Sequence, residues 1–299
     1  MQNNTALPLA AAAASSLLAG LAVVATRDLV GRIDPLLLAF LRYAPAGLCF
    51  IPIMFRSIGA IGRGPAMAGK DLAAIAALGA IFYALYPFLF TAGLSYTTAV
   101  HGAMMMPLLP LITLLLAILQ GQERLAWLKL AGMGMALAGI VLAFADSLLH
   151  EAMPPRAWIG DLLMLASLLP LSIFNVLGKP YIRKYGALPV TAIAMPVGSL
   201  ALLAVTVPMG QLQQIPMIVP SDWMLIVFLS LGAAALANYL WIHALGQLPA
   251  SRVAQFALIP PLVAAIAAAI LLGEWPSQTA LAGLALVLGG IWISSRSRM

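Results

Sequence analysis

Apolar runs of about 20 residues, separated by short polar breaks, dominate this sequence. A run of about 20 apolar residues is what an α-helix needs to cross the hydrocarbon core of a bilayer. Of the 299 residues, 63% are hydrophobic and 8% are charged, whereas roughly a quarter of the residues in a soluble domain are charged. The sequence therefore predicts an all-α membrane protein with ten transmembrane helices, at residues 6–29, 34–55, 72–94, 98–119, 125–146, 158–179, 187–209, 223–246, 249–272 and 277–295.

The two halves of the chain resemble each other. A shift of 151 residues aligns residues 99–142 with 250–293 without a gap and gives 12 identities in 44 positions. Each half holds five predicted spans, an odd number, so the second half would cross the membrane in the opposite sense. We therefore predict two inverted five-helix repeats, residues 1–150 and 151–299, an architecture typical of secondary transporters with a central site. The matched pairs include Pro110 and Pro261, Glu123 and Glu274, Gly132 and Gly283, and Gly139 and Gly290.

The basic residues indicate the orientation of the chain. If the N-terminus is cytoplasmic, eleven of the fifteen lysines and arginines lie at cytoplasmic ends or loops and three lie on the opposite side. The positive-inside rule then predicts that both termini are cytoplasmic. Because the basic residues are scattered between spans, the net charge of +6 does not indicate nucleic-acid binding.

Prolines interrupt two of the predicted spans near the middle of the membrane. Pro107 and Pro110 lie in the fourth span, and Pro260 and Pro261 lie in the ninth. Each proline removes a backbone donor and frees a carbonyl group one turn earlier. Irregular backbone at membrane depth is tolerated where it faces protein or a water-filled cavity. We therefore predict that the breaks border the binding region and act in gating, the alternative being kinks that only improve packing.

Polar and aromatic residues inside the spans are the candidate substrate contacts, because their partners must be other helices, water or substrate. In the third span, Tyr83, Tyr86 and Phe90 share one face of an α-helix. For the tyrosines and methionines the alternative is helix packing, and for His243 it is snorkelling to the interface. The substrate-binding candidates are Tyr83, His101, Met105, Asn175, Asn238, Tyr239 and His243.

Arg42 is predicted to be a buried charge, since it lies about eight residues, or about 12 Å of helix rise, inside the second span. A charge at that depth needs a partner. Two alternatives remain open from the sequence: a structural ion pair with Asp28 or Asp34, or a clamp for an anionic group of the substrate.

Enzymatic chemistry finds little support. The sequence has no GxSxG, no HExxH, no phosphate-cradling loop and no His and Cys cluster with metal spacing. We therefore expect no catalytic residue, no cofactor and no metal.

None of the nine acidic residues lies near the centre of a predicted span, which disfavours a multiply charged cation as substrate. Aromatic, methionine and amide side chains suit a neutral or zwitterionic organic molecule with an apolar side chain.

The fifth and tenth spans are predicted to be peripheral. Gly132, Ala136 and Gly139 share one face of the fifth span, as Ala285 and Gly289 do in the tenth. Such small residues form seams for close helix contact. The seams either tie the two halves together or form a dimer surface, so a monomer and a weak homodimer both remain open.

The closing segment LLGEWPSQTALAGLALVLGGIWI, its looser copy GQERLAWLKLAGMGMALAG, Arg42 and the two proline-broken spans resemble the EamA branch of the drug/metabolite transporter superfamily. Within that branch the chain is most similar to YddG-type amino-acid exporters. The resemblance implies a central cavity between spans one to four and six to nine, with spans five and ten outside it.

The resemblance further implies a bacterial inner-membrane transporter that exports aromatic and other neutral amino acids, or similar small metabolites, by alternating access. Its expected partners are a small-molecule substrate and the lipid bilayer. The alternatives are an exporter of drugs, nucleosides or other metabolites, and a passive solute channel.

Overall fold

A computed structural model describes residues 6–59, 67–123, 127–149, 156–271, 275 and 278–295 of the chain. Glu274, one of the residues that mark the sequence repeat, lies outside this range. The α-helices are α1 (Ala6–Leu29), α2 (Pro35–Gly59), α3 (Gly69–Ala80), α4 (Tyr86–Tyr96), α5 (Ala99–Met104), α6 (Leu109–Leu119), α7 (Trp127–Leu149), α8 (Ala157–Leu177), α9 (Lys179–Tyr185), α10 (Ala187–Thr206), α11 (Pro220–Val227), α12 (Ala237–Gln247), α13 (Ala250–Ala254), α14 (Ile259–Leu271) and α15 (Gln278–Ser295).

Many of these helices are long and apolar enough to cross a membrane. Three shorter apolar helices, Met106–Leu119, Leu130–Gly139 and Leu281–Gly290, accompany the longer ones. Together they fall where the sequence predicted spans, which supports a multi-pass membrane protein. Within the described residues, seven stretches meet the criteria of length and hydropathy: Ala6–Leu29, Pro35–Ser57, Gly69–Tyr96, Ala157–Leu177, Ala187–Thr206, Pro220–Gln247 and Ala250–Leu271.

Four irregular segments interrupt the α-helical spans. Pro107 lies in a 3₁₀ segment, Met106–Leu108, and Pro260 and Pro261 lie just after another, Gln255–Leu258, in the first turn of α14. A proline has no backbone donor for the preceding turn. The predicted breaks in the fourth and ninth spans are therefore confirmed as breaks, and their role in gating stays a prediction. The other two segments are π-helical, Ile81–Leu85 and Phe228–Leu236, and the sequence analysis did not anticipate them.

The order of elements recurs along the chain with the same shift of 151 residues that aligns the sequence. Helix α4, Tyr86–Tyr96, corresponds residue for residue to α12, Ala237–Gln247. Helices α5 and α13 begin at Ala99 and Ala250, which are also 151 residues apart. A π-helical segment precedes both α4 and α12. The same succession of regular and irregular backbone is thus encoded twice.

The helix contacts recur in the same way. Helix α1 packs against α12 and α14, and its counterpart α8 packs against α4 and α6. Helix α2 packs against its counterpart α10, and α7 packs against its counterpart α15. Each half of the chain therefore completes its packing only by contact with the other half.

Small residues set the closest of these contacts. At Gly139 of α7, a Cβ atom would lie 2.9 Å from the backbone nitrogen of Val287 in α15, and at Gly290 of α15 it would lie 2.7 Å from that of Ala136. The seam predicted on the fifth and tenth spans therefore joins two helices of the same chain, which confirms the first of the two alternatives.

We expect Gly198→Val to lower the free energy of unfolding by about 1–3 kcal/mol, the usual cost of overpacking. Gly198 lies on α10, where a Cβ atom would come within 2.7 Å of the Gly79 carbonyl oxygen and 3.0 Å of the Tyr83 Cα. Neither backbone atom can move aside cheaply. Thermal unfolding of the purified protein in detergent measures the loss.

The matched control is Gly134→Val on α7, where a Cβ atom meets no described atom within 4 Å. This variant is expected to stay within about 0.5 kcal/mol of the unsubstituted protein. Equal stability of the two variants would contradict the close approach of α10 to the third span.

Candidate functional site

A cavity lies where the four irregular segments meet α1, α2, α8 and α12. Its empty space is about 540 Å³ counted up to the open mouth, of which about 70 Å³ admits the centres of water molecules. One water needs roughly 10–15 Å³ on the latter measure, so several waters fit and a larger organic molecule requires side chains to move. The lining residues are Ser15, Ser16, Ala19, Arg42, Tyr43, Phe82, Tyr86, Met106, Leu109, Leu171, Ala233, Ala237, Asn238, Trp241, Ala257 and Pro260.

Both halves of the chain contribute to this lining. Spans one to four supply one part, and spans six, eight and nine supply the other. Among the described residues, helices α7 and α15 contribute none to the lining, in keeping with their predicted peripheral position. Span seven, helix α10, differs from the expectation drawn from the family resemblance. It packs on α2 and α3 and supplies no residue to the cavity wall.

The π-helical segment of the third span decides which aromatic rings face the cavity. A π-helical turn holds more residues than an α-helical turn, so residues three apart no longer share a face. Phe82 and Tyr86 line the cavity, whereas Tyr83 is fully buried behind them. The Tyr83 ring lies 4.4 Å from the Phe82 ring and 5.7 Å from the Tyr43 ring, between centroids.

A sequence signal for this shift existed. Pro87 is the second residue after the π-helical segment and lacks the N–H group that would bond to the Tyr83 carbonyl in a regular α-helix. A proline at that point indicates that regular α-helical spacing cannot be used to decide which residues before it share a face. Substrate contact by Tyr83 stays a prediction, and Phe82 is the lining residue that phase reasoning missed.

Asn175 is also predicted as a substrate contact, but the structure places it behind the wall. It is fully buried, and its Oδ1 atom accepts a hydrogen bond of 2.8 Å from Nε1 of Trp241. Trp241 in turn lines the cavity. Asn175 therefore holds the indole in position. Trp241 is a wall residue that the sequence does not single out, because a tryptophan close to a span end is commonly an interface residue.

Asn238, a predicted substrate contact, lies in the cavity wall, and its contact with a substrate stays a prediction. Its Nδ2 atom donates to the carbonyl oxygens of Ala233 and Ala234, at 3.4 and 2.8 Å, both in the π-helical segment of the eighth span. Nearby, Ser15 Oγ donates to the carbonyl oxygen of Ala237 at 2.7 Å. Side chains thus satisfy carbonyl groups that irregular backbone exposes, and Ser15 went unnoticed in the sequence.

The remaining candidates lie around the cavity rather than in its wall. Met105 is buried beside the lining residue Met106. The rings of Tyr239 and His243 lie 6.1 Å apart, and His243 is 2.8 Å from Nε2 of Gln247. None of these candidates is a lining residue, so their substrate contacts remain predictions.

Among the prolines of the two broken spans, Pro260 lines the cavity. Pro107, Pro110 and Pro261 are buried. His101 belongs to α5, and its side chain lies outside the described part of the structure.

Arg42 is buried, with 4% of its surface exposed, and lines the cavity. The structural pair proposed from the sequence is wrong. Asp28 bonds to Arg32 at 2.7 Å, and Asp34 accepts hydrogen bonds from the backbone N–H groups of Leu36 and Leu37 at the start of α2. The carboxylates are therefore engaged elsewhere.

Ion pairs lie at both ends of the helix bundle. At one end, Nε and Nη2 of Arg32 donate to the two carboxylate oxygens of Asp222 at 3.1 and 3.0 Å. At the other, Nζ of Lys184 and the hydroxyl of Tyr185 donate to Oδ2 of Asp71 at 2.7 and 2.6 Å. The hydrogen bonds to carboxylates raise the pKa of Arg32 and of Lys184 above their usual ranges, which favours the charged form of both basic groups.

The sequence matches the EamA-like transporter family over residues 6–145 and again over residues 158–296. The chain belongs to this family. The two matches of this EamA protein follow each other along the chain and leave out only its ends and a short central stretch. The family assignment and the apolar helices together establish a multi-pass membrane transporter.

Relatives of this EamA protein carry transporter names. It is 28% identical to an uncharacterized transporter of Archaeoglobus fulgidus, over 93% of this chain and 95% of that protein. It is 29% identical to a probable terminal-alkyne amino-acid exporter of Streptantibioticus cattleyicolor, over 85% of each. A solved crystal structure matches with a TM-score of 0.67 at 21% identity, covering 97% of this chain and 96% of the other, which shows a shared fold.

We expect Asn175→Ala and Trp241→Phe to be coupled in a double-mutant cycle. Each change alone leaves one buried partner of the hydrogen bond unsatisfied, at a cost of about 1–3 kcal/mol. The double variant removes both partners, so its loss of unfolding free energy should be smaller than the sum of the two single losses by about 0.5–1.5 kcal/mol. Equilibrium unfolding in detergent measures the four free energies.

The control cycle combines Asn175→Ala with Trp158→Phe, since Trp158 lies on the same helix with 60% of its surface exposed. That pair should behave additively. Additive losses for Asn175 and Trp241 as well would show that the hydrogen bond does not position the indole.

Proposed function

We propose that this EamA transporter exports neutral amino acids, aromatic ones included, across a bacterial inner membrane. The observation that carries the proposal is the mixed lining of the cavity. Phe82, Tyr86 and Trp241 contribute aromatic rings, while Arg42 and Asn238 bring polar groups to the same space. An amino acid with an apolar side chain carries the matching combination of an apolar body and a charged head.

The relative from Streptantibioticus cattleyicolor supports this substrate class, because its name describes a probable exporter of amino acids.

Export of cationic drugs is the less favoured alternative. No acidic residue is among those that line the cavity in the described structure, and Arg42 brings a positive charge to it. Nucleosides and other neutral metabolites remain the second substrate class to test. We expect no chemical step and no cofactor.

Inverted repeats at residues 1–150 and 151–299 account for the directions of the helices. The third span starts at the Asp71 end, where Lys184 binds, and finishes where Arg27 Nη1 approaches the Leu94 carbonyl oxygen at 3.5 Å. The eighth span starts at Asp222, which binds Arg32.

The eighth span ends at Leu248, whose carbonyl oxygen accepts a hydrogen bond from Lys179 at 2.6 Å. Arg27 and Arg32 lie close together at the end of α1, and Lys179 and Lys184 lie close together on α9. The third and eighth spans, equivalent under the 151-residue shift, thus run in opposite directions. This supports an inverted arrangement of ten spans.

Alternating access follows from the same arrangement. Asp71 and Asp222 are 151 residues apart, and each occupies the first turn of its span. Each binds a basic residue that follows the first span of the other half. The two ends of the bundle are thus closed by equivalent ion pairs, and a rocking motion of the halves can open one while the other stays intact. With both termini cytoplasmic, the Arg32–Asp222 pair faces outward and the Lys184–Asp71 pair faces the cytoplasm.

The substrate class is tested by counterflow in proteoliposomes loaded with unlabelled amino acids. We expect saturable uptake of labelled phenylalanine and methionine, with weaker uptake of threonine because its side chain buries less apolar surface against the aromatic wall. Absence of counterflow for every amino acid, from protein that is folded by its thermal transition, would exclude this class. Uptake without saturation would indicate a passive channel.

The location of the site is tested with two neighbouring residues, Asn238 and Tyr239. Asn238→Ala changes the cavity wall and is expected to raise the half-saturation concentration at least tenfold. Tyr239→Ala lies on the same helix outside the wall and should have a smaller effect. If Tyr239→Ala weakens uptake more than Asn238→Ala, the substrate binds nearer to Tyr239 and His243 than to this cavity.

The two ion pairs are tested by accessibility. Cys49→Ala removes the single cysteine of the chain, and Ser16→Cys then introduces one reporter into the cavity wall. Asp222→Asn should increase labelling by a membrane-impermeant maleimide applied from outside, because the outer ion pair is lost. Asp71→Asn should increase labelling from the cytoplasmic side in inside-out vesicles.

Asp34→Asn is the matched control. It removes one negative charge near the outer end while asparagine still caps the start of α2, so labelling should not change from either side. Equal effects of Asp71→Asn and Asp222→Asn on both sides would contradict the assignment of one pair to each end.

A further inference from the structure

We propose that Arg42 binds the carboxylate group of the substrate inside the cavity, and that the transporter therefore selects molecules with a free carboxylate. The inference rests on the proposed function and specifies how one end of the substrate is recognised. It starts from the guanidinium itself. The Nε and Nη1 atoms of Arg42 are buried and have no hydrogen-bond partner among the described residues.

The surroundings of Arg42 offer the guanidinium only a weak substitute for a counter-ion. Its Cζ atom lies 5.4 Å from the ring centroid of Tyr43 and 5.5 Å from that of Phe90. Such cation–π contacts stabilise a positive charge but leave the N–H groups without acceptors. A guanidinium in a membrane interior with unused donors is costly unless an anion or water satisfies it. The fold therefore keeps a cation with open hydrogen-bonding capacity at the edge of the cavity.

Two further polar groups of the cavity lining are in the same condition. The hydroxyl groups of Ser16 and Tyr43 are buried without a hydrogen-bond partner among the described residues, and both residues line the cavity with Arg42. Each hydroxyl is thus a further unused donor in the lining. Since the described lining contains no acidic side chain, the cavity carries a net positive charge.

The ligand that fits these donors is a carboxylate. The guanidinium presents parallel N–H groups in a planar fork that matches the two oxygens of a carboxylate. Phe82, Tyr86 and Trp241 line the same cavity, so an aryl or alkyl body finds apolar surface there while the charged head binds Arg42. No described carboxylate in the lining awaits an ammonium group. Recognition therefore depends on the carboxylate of an amino acid much more than on its amino group.

The test compares three analogues as ligands of the purified protein and as competitors of labelled phenylalanine in counterflow. L-Phenylalanine has both groups, 3-phenylpropionate lacks the amino group, and L-phenylalaninamide lacks the carboxylate. We expect phenylalanine and 3-phenylpropionate to raise the thermal transition of the protein in detergent and to compete for uptake. The amide should do neither at tenfold higher concentration.

Arg42→Gln should weaken binding of the two carboxylates at least tenfold and remove the discrimination against the amide. Arg42→Lys keeps the charge without the fork and should retain part of the affinity. The matched control is Arg56→Gln, an exposed arginine near the end of the same helix, which should bind all three analogues as the unsubstituted protein does.

The outcomes separate the two proposals. If the unsubstituted protein transports phenylalanine and folded Arg42→Gln binds it within twofold, the carboxylate clamp is wrong and amino-acid export stands. Competition by the amide equal to that by phenylalanine overturns the clamp in the same way. If no amino acid is transported but 3-phenylpropionate stabilises the protein only when Arg42 is present, the clamp stands and the amino-acid assignment fails.

Discussion

The hydrogen-bonding needs of the backbone inside hydrocarbon govern this structure. Without water, each backbone N–H and C=O group of a span must find a partner within the protein, and the regular α-helix provides it. Departures from the α-helix are therefore tolerated only beside protein or a hydrated space. The four irregular segments within the described spans obey this rule, because each supplies a residue to the cavity wall: Phe82, Ala233, Met106 and Ala257.

Side chains around these segments satisfy further hydrogen-bonding groups. Asn238 and Ser15 satisfy carbonyl groups in and directly after the π-helical segment of the eighth span. Asn175 holds the indole of Trp241. Among the lining residues, Ser16, Arg42 and Tyr43 are the exceptions, because each carries a buried donor with no acceptor among the described residues. Behind the wall, Nδ2 of Asn175 and the Tyr83 hydroxyl are unpartnered in the same sense. The unused donors in the wall are the groups to which the proposed carboxylate would bind.

Close packing links this cavity to the ends of the bundle. Glycine lets α10 lie directly on the third span, with Gly198 against Gly79 and Tyr83, and Tyr83 in turn packs on the wall residue Phe82. The ion pairs of Asp71 and Asp222 join the halves at opposite ends. Both pairs are partly solvated, so salt screens them and each is weak enough to break during a transport cycle.

The sequence by itself determined the features that arise within single helices. The positions of the spans, the breaks at the proline pairs and the small-residue seam follow from hydropathy, from the missing proline N–H and from side-chain size, and each depends on a few neighbouring residues. The repeat was readable because its landmarks, such as Pro110 and Pro261, fall in register.

Only the tertiary structure decided which faces meet. Phase reasoning favoured Tyr83, but the π-helical segment turned Phe82 toward the cavity. Asn175 was deep in its span, yet its partner Trp241 is 66 residues away. An ion pair of Arg42 with Asp28 or Asp34 was one of the two alternatives left open, and both carboxylates bind other donors. These outcomes depend on how far irregular turns rotate the faces of a helix, and on which of several distant groups forms each hydrogen bond. Neither can be read from the spacing of residues along the chain.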